Sequence, residues 1–472
     1  VYFPADSLPI AAQAAGAAAA YAPRGGAAEV FFYADSNGRY SRMGLDISGD
    51  GMPDKFVDLD TLCFDQCRHL VIVLDGFGYD VVKDYYDRGH LRLFHPPSRV
   101  IAPYPTLTDL CMEDMLAYMA CPGMEARYYN RASNRERGGA LAYMQAKNEP
   151  YARLMDYKAD LIWDAIAYVL PWQVFGRELN ELKREFDRRR HQEVLSYIVS
   201  SAGVSTADGA EGQRRCLERV EQLCHQIVWE TGGLTKITLL ADHGHSYTPA
   251  RRVNFEEFLK GRGYRLTESL NRPEDVVYIR FGLETYASFA TLSPAKLAAD
   301  MTEAQGVELA SYADGADVVV LSRLGGGGMQ RAVISRKDGR YKYAPSAGDP
   351  LSLAPVLATL RPDAEGFYDE ADLFAASLTH QWPDPLERLW RAHFAMVENP
   401  PDVIVSLADA WYSGSKSFAT RVDIGSTHGS LNRSNSTTFI MSTIGPLPAA
   451  MRTREIPANI SKLTGEPFPW RR

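Results

Sequence analysis

The stretch Lys236-Ile237-Thr238-Leu239-Leu240-Ala241-Asp242-His243-Gly244-His245 decides how the rest of this chain is read. Its first half is a short apolar, β-branched run, the pattern of a strand buried on both faces. Its second half sets a carboxylate and an imidazole side by side where that strand ends, followed by a permissive glycine. In open parallel sheets, ligands sit at the carboxyl ends of the strands. A hard carboxylate next to a borderline imidazole suits zinc or manganese better than calcium. One Asp-His pair is equally the content of an ordinary loop, so the reading depends on matching residues elsewhere.

The chain around it has 472 residues, enough for one elaborate α/β domain with an inserted subdomain, or for two domains. Apolar residues make up 46%, ordinary for a folded globule, and the net charge of −8 gives no basic field for nucleic acid. No apolar run is long enough to cross a bilayer. The sequence starts at Val1 and is alanine-rich from Ala11 to Ala20, which reads as a processed N-terminus. Six cysteines fall in local pairs (Cys63 and Cys67, Cys111 and Cys121, Cys216 and Cys224) without the doubled spacing of a thiolate zinc site. They fit disulfides or buried thiols equally.

Taken in order, Val1 to Gly26 lacks a period and reads as an extended arm, before a strand at Val30-Phe31-Phe32-Tyr33. In Asp46-Ile47-Ser48-Gly49-Asp50-Gly51-Met52-Pro53-Asp54, oxygen-bearing side chains alternate like the first half of a calcium loop. Val57 stands where that pattern needs its bidentate glutamate, and a plain Asx/Gly turn explains the residues as well. Asp46, Ser48, Asp50 and Asp54 are the candidate calcium ligands. His69 to Leu74 is a second buried strand ending in a carboxylate, Asp75. After Pro105-Thr106-Leu107-Thr108-Asp109 the apolar spacing turns helical, so Thr108 sits at a helix N-terminus, where free amides favour an anion. Arg127 to Gly139 reads as a basic loop, Val194 to Ser200 as a strand and Arg214 to Trp229 as a helix. Arg251 to Gly348 holds short strands, a helix near Ser293 to Met301 and a hairpin signal at Asp338-Gly339. Gly325 to Gly328 reads as a flexible turn. Helices near Pro385 to Ala395 and a strand at Val403 to Leu407 are assigned to the core, and His428 precedes a last strand, Thr437 to Met441. The expected division is an N-terminal arm and hairpin (1–61), a core (62–250 with 349–472) and an inserted α+β cap (251–348). The expected fold class is α/β, a mostly parallel central sheet with helices on both faces.

Asp75, Thr108, Asp242-His243 and His428 thus lie at or near strand ends in four separate segments. Their order and setting resemble the alkaline phosphatase superfamily, in particular its nucleotide pyrophosphatase/phosphodiesterase branch. The resemblance covers His69 to Pro249 and Pro401 to Phe468, including the closing Ile456-Pro457-Ala458-Asn459-Ile460 and Leu463-Thr464-Gly465. It implies that Asp75, Asp242 and His243 hold one metal, that Thr108 is the nucleophile bridging two, and that His428 binds the second. Thr106 is the alternative hydroxyl. Such a cation would lower the hydroxyl pKa and neutralise phosphoryl oxygens.

The sequence departs from that family where the strand before the Asp-His strand should supply an aspartate and, four residues on, a histidine. Ala202 and Thr206 occupy those places, and neither a methyl nor a neutral hydroxyl replaces such ligands. Asp187 and His191 have the spacing but precede the strand, on a basic helix. His245 either compensates in part or hydrogen-bonds behind the ligands. The expected activity is hydrolysis of phosphate mono- or diesters, the partner a phosphate-ester small molecule or anionic group, with one divalent transition metal, zinc or manganese, and a structural calcium. The alternatives are a pseudoenzyme that keeps the fold to bind a protein partner, and a phosphate transferase or mutase. The export frequent in this family, with the N-terminus and the calcium-like loop, suggests an extracytoplasmic location.

Overall fold

The computed structural model describes residues 2–3, 7–23, 27–139, 149–189, 193–323, 327–414 and 425–470. The fold is mixed α/β with several sheets. The sheet that carries Asp75 and Asp242 has seven strands, in the order Tyr157–Lys158, Glu193–Ile198, Arg68–Leu74, Thr235–Ala241, Thr437–Ser442, Ser98–Ile101, Ala450–Arg452. The first four are mutually parallel. Thr437–Ser442 runs antiparallel to both its neighbours, and Ala450–Arg452 is parallel to Ser98–Ile101.

Continuous apolar runs make this possible, because each strand has both faces covered. Leu70, Ile72 and Leu74 enter one core with Phe175, Leu182 and Phe186 of the helix Pro171–Arg188 and Leu217, Val220 and Cys224 of the helix Ser200–Glu230. Val71 and Val73 enter another with Met112, Met115 and Leu116 of the helix Thr108–Leu116 and Ile456 and Ile460 of the helix Ile456–Thr464. Each such side chain contributes roughly 1.5–3 kcal/mol relative to exposure.

A nine-stranded sheet follows the order Arg265–Leu266, Asp275–Ile279, Tyr286–Thr291, Val403–Leu407, Val307–Asp314, Asp317–Ser322, Gln330–Lys337, Arg340–Ala347, Tyr368–Asp369. Val403–Leu407, assigned from sequence to the core, is instead an interior strand here, antiparallel to Tyr286–Thr291 and Val307–Asp314. Its apolar run encodes burial on two sides and not which sheet supplies it. Asp338-Gly339 forms the two-residue turn between Gln330–Lys337 and Arg340–Ala347, both with positive φ (49° and 77°), as the type I′ geometry requires.

Three further segments differ from expectation. Within Val1 to Gly26, the described residues include strands Tyr2–Phe3 and Ala19–Tyr21 and a helix Ile10–Ala14, and these strands join Val30–Ala34, Tyr40–Leu45 and Lys55–Asp58 in a five-stranded sheet. Small alanines at 12, 19 and 20 are fully buried there, so the composition that suggested an arm is that of a close-packed layer. Arg127–Asn130 and Arg135–Gly138 form a hairpin rather than a loop. The strand expected at Val194 to Ser200 ends at Ile198, and a helix begins at Ser200. Gly327 and Gly328 are described, whereas 324–326 and His191 lie outside the described residues.

Candidate active site

The strands Arg68–Leu74 and Thr235–Ala241 pair in parallel with Leu74 opposite Ala241. The next residue of each, Asp75 and Asp242, therefore leaves the sheet at the same edge. Asp242 Oδ1 accepts hydrogen bonds from the amides of Gly76 (3.0 Å) and His243 (2.9 Å). Its Oδ2 is buried, receives no hydrogen bond from any described residue, and lies 3.4 Å from His243 Nε2.

His243 Nδ1 is 2.7 Å from the carbonyl oxygen of Gly244, which only accepts, so Nδ1 carries the proton and Nε2 presents its lone pair. Burial, with help from His428, holds the His243 pKa well below the ordinary histidine value and keeps the ring neutral. Nε2 lies 3.6 Å from Asp75 Oδ1 and 3.3 Å from Thr108 Oγ1. Burial pushes the Asp242 pKa up to about 7, against the opposing pull of the Gly76 and His243 amides. Two carboxylates and a lone pair aimed into one enclosed space repel unless positive charge sits between them.

A divalent cation is the fitting occupant. Among the described residues, Asp75, Asp242 and His243 form the one group of three or more such side chains whose donor atoms lie close enough, within 4.8 Å of one another. The orphaned Asp242 Oδ2 and the outward Nε2 both suit it. Two carboxylate oxygens with one imidazole are a donor set for a divalent metal, and three protein ligands leave a position open.

Thr108 is the first residue of the nine-residue helix Thr108–Leu116, so its hydroxyl and the helix's free amides share one opening. Thr108 Oγ1 donates toward Asp75 Oδ1 at 3.5 Å and accepts from the buried Tyr197 hydroxyl at 3.5 Å. Tyr197 escaped the sequence reading because it looks like any inward-facing strand residue. Its place one strand over from Asp75 was the available signal. Thr106, the alternative hydroxyl, is fully buried; it donates to Ser430 O at 3.4 Å and accepts from the Gly429 amide at 2.9 Å. It braces two loops and does not face the carboxylates.

His428 stacks on His243 with ring centroids 4.0 Å apart, and its Nδ1 faces Thr106 O at 2.9 Å and Glu284 Oε2 at 3.6 Å. His245 Nε2 is 3.1 Å from Ser426 Oγ, while its Nδ1 is buried and unpartnered among the described residues. A methyl placed on Gly76 would lie 3.4 Å from His245 Nδ1, 3.5 Å from His243 Cε1 and 3.6 Å from the Ala202 methyl. Gly76 thus has the Ala202 methyl and both histidines around it. Thr206 is buried four residues on along the same helix. Asp187 pairs with Lys183 at 2.5 Å, as a surface i, i+4 pair does.

The remaining sequence candidates lie elsewhere. Asp46 accepts from the Gly49 and Gly51 amides (2.6 and 2.7 Å), Asp54 from Ile47 and Ser48 (2.7 Å each) and Asp50 from Met52 (2.9 Å). Ser48 Oγ reaches Asp46 Oδ1 at 3.3 Å. These are the bonds of an Asx-turn hairpin, and they gather the four oxygen-bearing side chains on one loop. In the basic hairpin, Arg127 pairs with Glu136 and Arg131 with Asp402. No two of the six cysteines are joined in a disulfide, and five of them are buried. No helix of the described residues is long and apolar enough to cross a membrane.

No family model and no curated protein matches the chain. Among solved structures, murine and human ectonucleotide pyrophosphatase/phosphodiesterase 5 are similar, each with a TM-score of 0.44 and 10% identity. Each alignment covers 86% of this chain, and 97% of the murine or 96% of the human chain. A likeness at this level carries nothing about the chemistry, which rests on the geometry above.

Proposed function

We propose that this chain hydrolyses phosphate mono- or diesters, with Thr108 as nucleophile and one divalent transition metal, zinc or manganese, held by Asp75, Asp242 and His243. The observation that carries the reading is the convergence of two buried carboxylates, a neutral imidazole lone pair and a hydroxyl at a helix N-terminus. When bound, the cation supplies positive charge that lowers the hydroxyl pKa and offsets the charge of the phosphoryl group. Asp75 Oδ1 is placed to take the Thr108 proton, and the Tyr197 hydroxyl steadies the oxygen that remains. The first free amides of the Thr108 helix favour the phosphoryl oxygens. Attack forms a Thr108 O–P bond as the bond to the leaving alcohol breaks, and water then releases phosphate or its monoester. Hydrolysis of a chromogenic phosphodiester during zinc and manganese titration tests this. Thr108→Ala should remove turnover by at least about 1,000-fold while metal binding persists. Equal rates in wild type and variant would refute the nucleophile.

One observation favours a second reading, a pseudoenzyme that keeps the fold for binding. By the resemblance, Ala202 and Thr206 take the places of two ligands of a second cation, and a two-metal clamp stabilises entering and leaving oxygens together. A metal-loaded chain inert toward every phosphate ester, yet capturing a protein partner, would support that reading.

A further inference from the structure

Arg388 is among the largest fully buried side chains, at 1% exposure, on the helix Pro385–Phe394 that packs against the nine-stranded sheet. Among the described residues its guanidinium makes no ion pair, although the nearby Asp384 favours its charge. Nη1 donates to Pro383 O at 3.0 Å and Leu431 O at 3.2 Å, and Nη2 donates to Pro103 O at 3.3 Å. Pro103 opens the loop that ends at Thr108, and Leu431 lies three residues beyond His428. The two loops are laced further by Thr106, whose amide donates to Gly429 O at 3.2 Å and whose hydroxyl accepts from the Gly429 amide. A buried cation is costly, and apolar packing would fill the volume more cheaply. A planar fork of donors is the side chain that ties carbonyls of separate segments together in fixed directions.

We infer that Arg388 is a positioning residue: it locks the Thr108 loop to the His428 loop and so sets the nucleophile against the carboxylate–imidazole cluster. The inference rests on the hydrolase reading of Thr108. Arg388 touches none of Asp75, Asp242 or His243, so its effect separates from cation binding. Burial lowers its pKa only to about 10, so the brace stays charged at neutral pH.

The test uses the full chain as wild type, Arg388→Met and Arg388→Lys. Cobalt(II) serves as the visible-spectrum probe of the cation site, vanadate as the phosphoryl mimic, and a chromogenic phosphodiester as substrate. Cobalt affinity and KM should stay within about threefold in both variants, while kcat and vanadate affinity fall by about 100-fold in the methionine variant. Lysine keeps the charge but not the fork, and should recover about tenfold of that loss. If the methionine variant fails to fold, lysine carries the test by the same split, with kcat about tenfold below wild type. A folded variant with kcat and vanadate affinity within threefold of wild type overturns the inference. So does a parallel loss of cobalt affinity, which would make Arg388 a support of the fold alone. Wild type that neither turns over nor binds vanadate refutes the hydrolase reading first, and the inference falls with it.

Discussion

Asp242 is the residue on which the proposed cation bears most directly. One oxygen is satisfied by two amides and the other by none, in a space it shares with Asp75 and an imidazole lone pair. Asp242→Asn removes the charge while its amide oxygen can still accept both backbone bonds. The variant should therefore melt higher than wild type in chelator at pH 8, and lower than wild type in saturating zinc. Thermal melts in the two buffers check this; a wild type that outlasts the variant in chelator would mean the carboxylate is compensated without a cation. At this scale the sequence was informative for residues whose role depends on position along the strand. Asp75, Asp242 and His243 are all named by the rule that strand ends carry chemistry, and Thr108 by the helix start. Tyr197, Glu284 and Arg388 were not legible, because their contacts are with distant segments and nothing local marks them.

Elements bring these residues together, and the turn after Ala241 is a tight joint. A Cβ on Gly244 would lie 2.1 Å from Ser434 O and 2.8 Å from Thr437 O, both backbone atoms of the segment that opens the last strand. Gly244→Ala should cost at least about 2 kcal/mol, as overpacking into fixed backbone does, and should reduce cation binding by tilting His243. Chemical denaturation and metal titration measure the two effects, and an unaltered midpoint would show that the joint yields. The helix starting at Ser200 gives a constructive experiment. Ala202 and Thr206 are one turn apart, and the Ala202 methyl, like His243 and His245, lies next to Gly76. Ala202→Asp with Thr206→His should bind a second metal equivalent, where either change alone binds little. Elemental analysis decides it, and a folded double variant with one equivalent would refute the ligand alignment. Elements with a strong local signal were readable: the Asp338-Gly339 turn, the two apolar strands, the start at Thr108. Val403–Leu407 and the layer formed within Val1 to Gly26 were not, since an apolar run states that it is buried and leaves the partner unspecified.

At the scale of the whole molecule, the two large sheets meet through the segment between them and the last strand. Glu308, on Val307–Asp314, points an enclosed, unpartnered Oε2 into that seam, near Asp409, Asn432 and Trp382. Burial and then Asp409 raise its pKa to about 7, while Asn432 and Trp382 act to lower it. A raised carboxyl pKa means that the folded state holds the proton more tightly than the unfolded chain. The stability it contributes is complete below the unfolded value of about 4.3 and is lost as pH rises through about 7. Glu308→Gln should flatten that part of the melting-temperature profile between pH 4.5 and 8, measured in chelator; superimposable profiles would show that the carboxyl stays hydrated. The strand order carries one more consequence. Thr437–Ser442 lies between Thr235–Ala241, which leads to Asp242, and Ser98–Ile101, which leads toward Thr108. Until that strand is inserted, nothing in the sheet joins the half bearing the carboxylates to the half bearing the hydroxyl. A chain emerging from the ribosome can complete the carboxylate half early, but Ser98–Ile101 has only Thr437–Ser442 and Ala450–Arg452 as neighbours, so a nascent chain stalled before residue 437 should have a folded carboxylate half and no hydroxyl set against it.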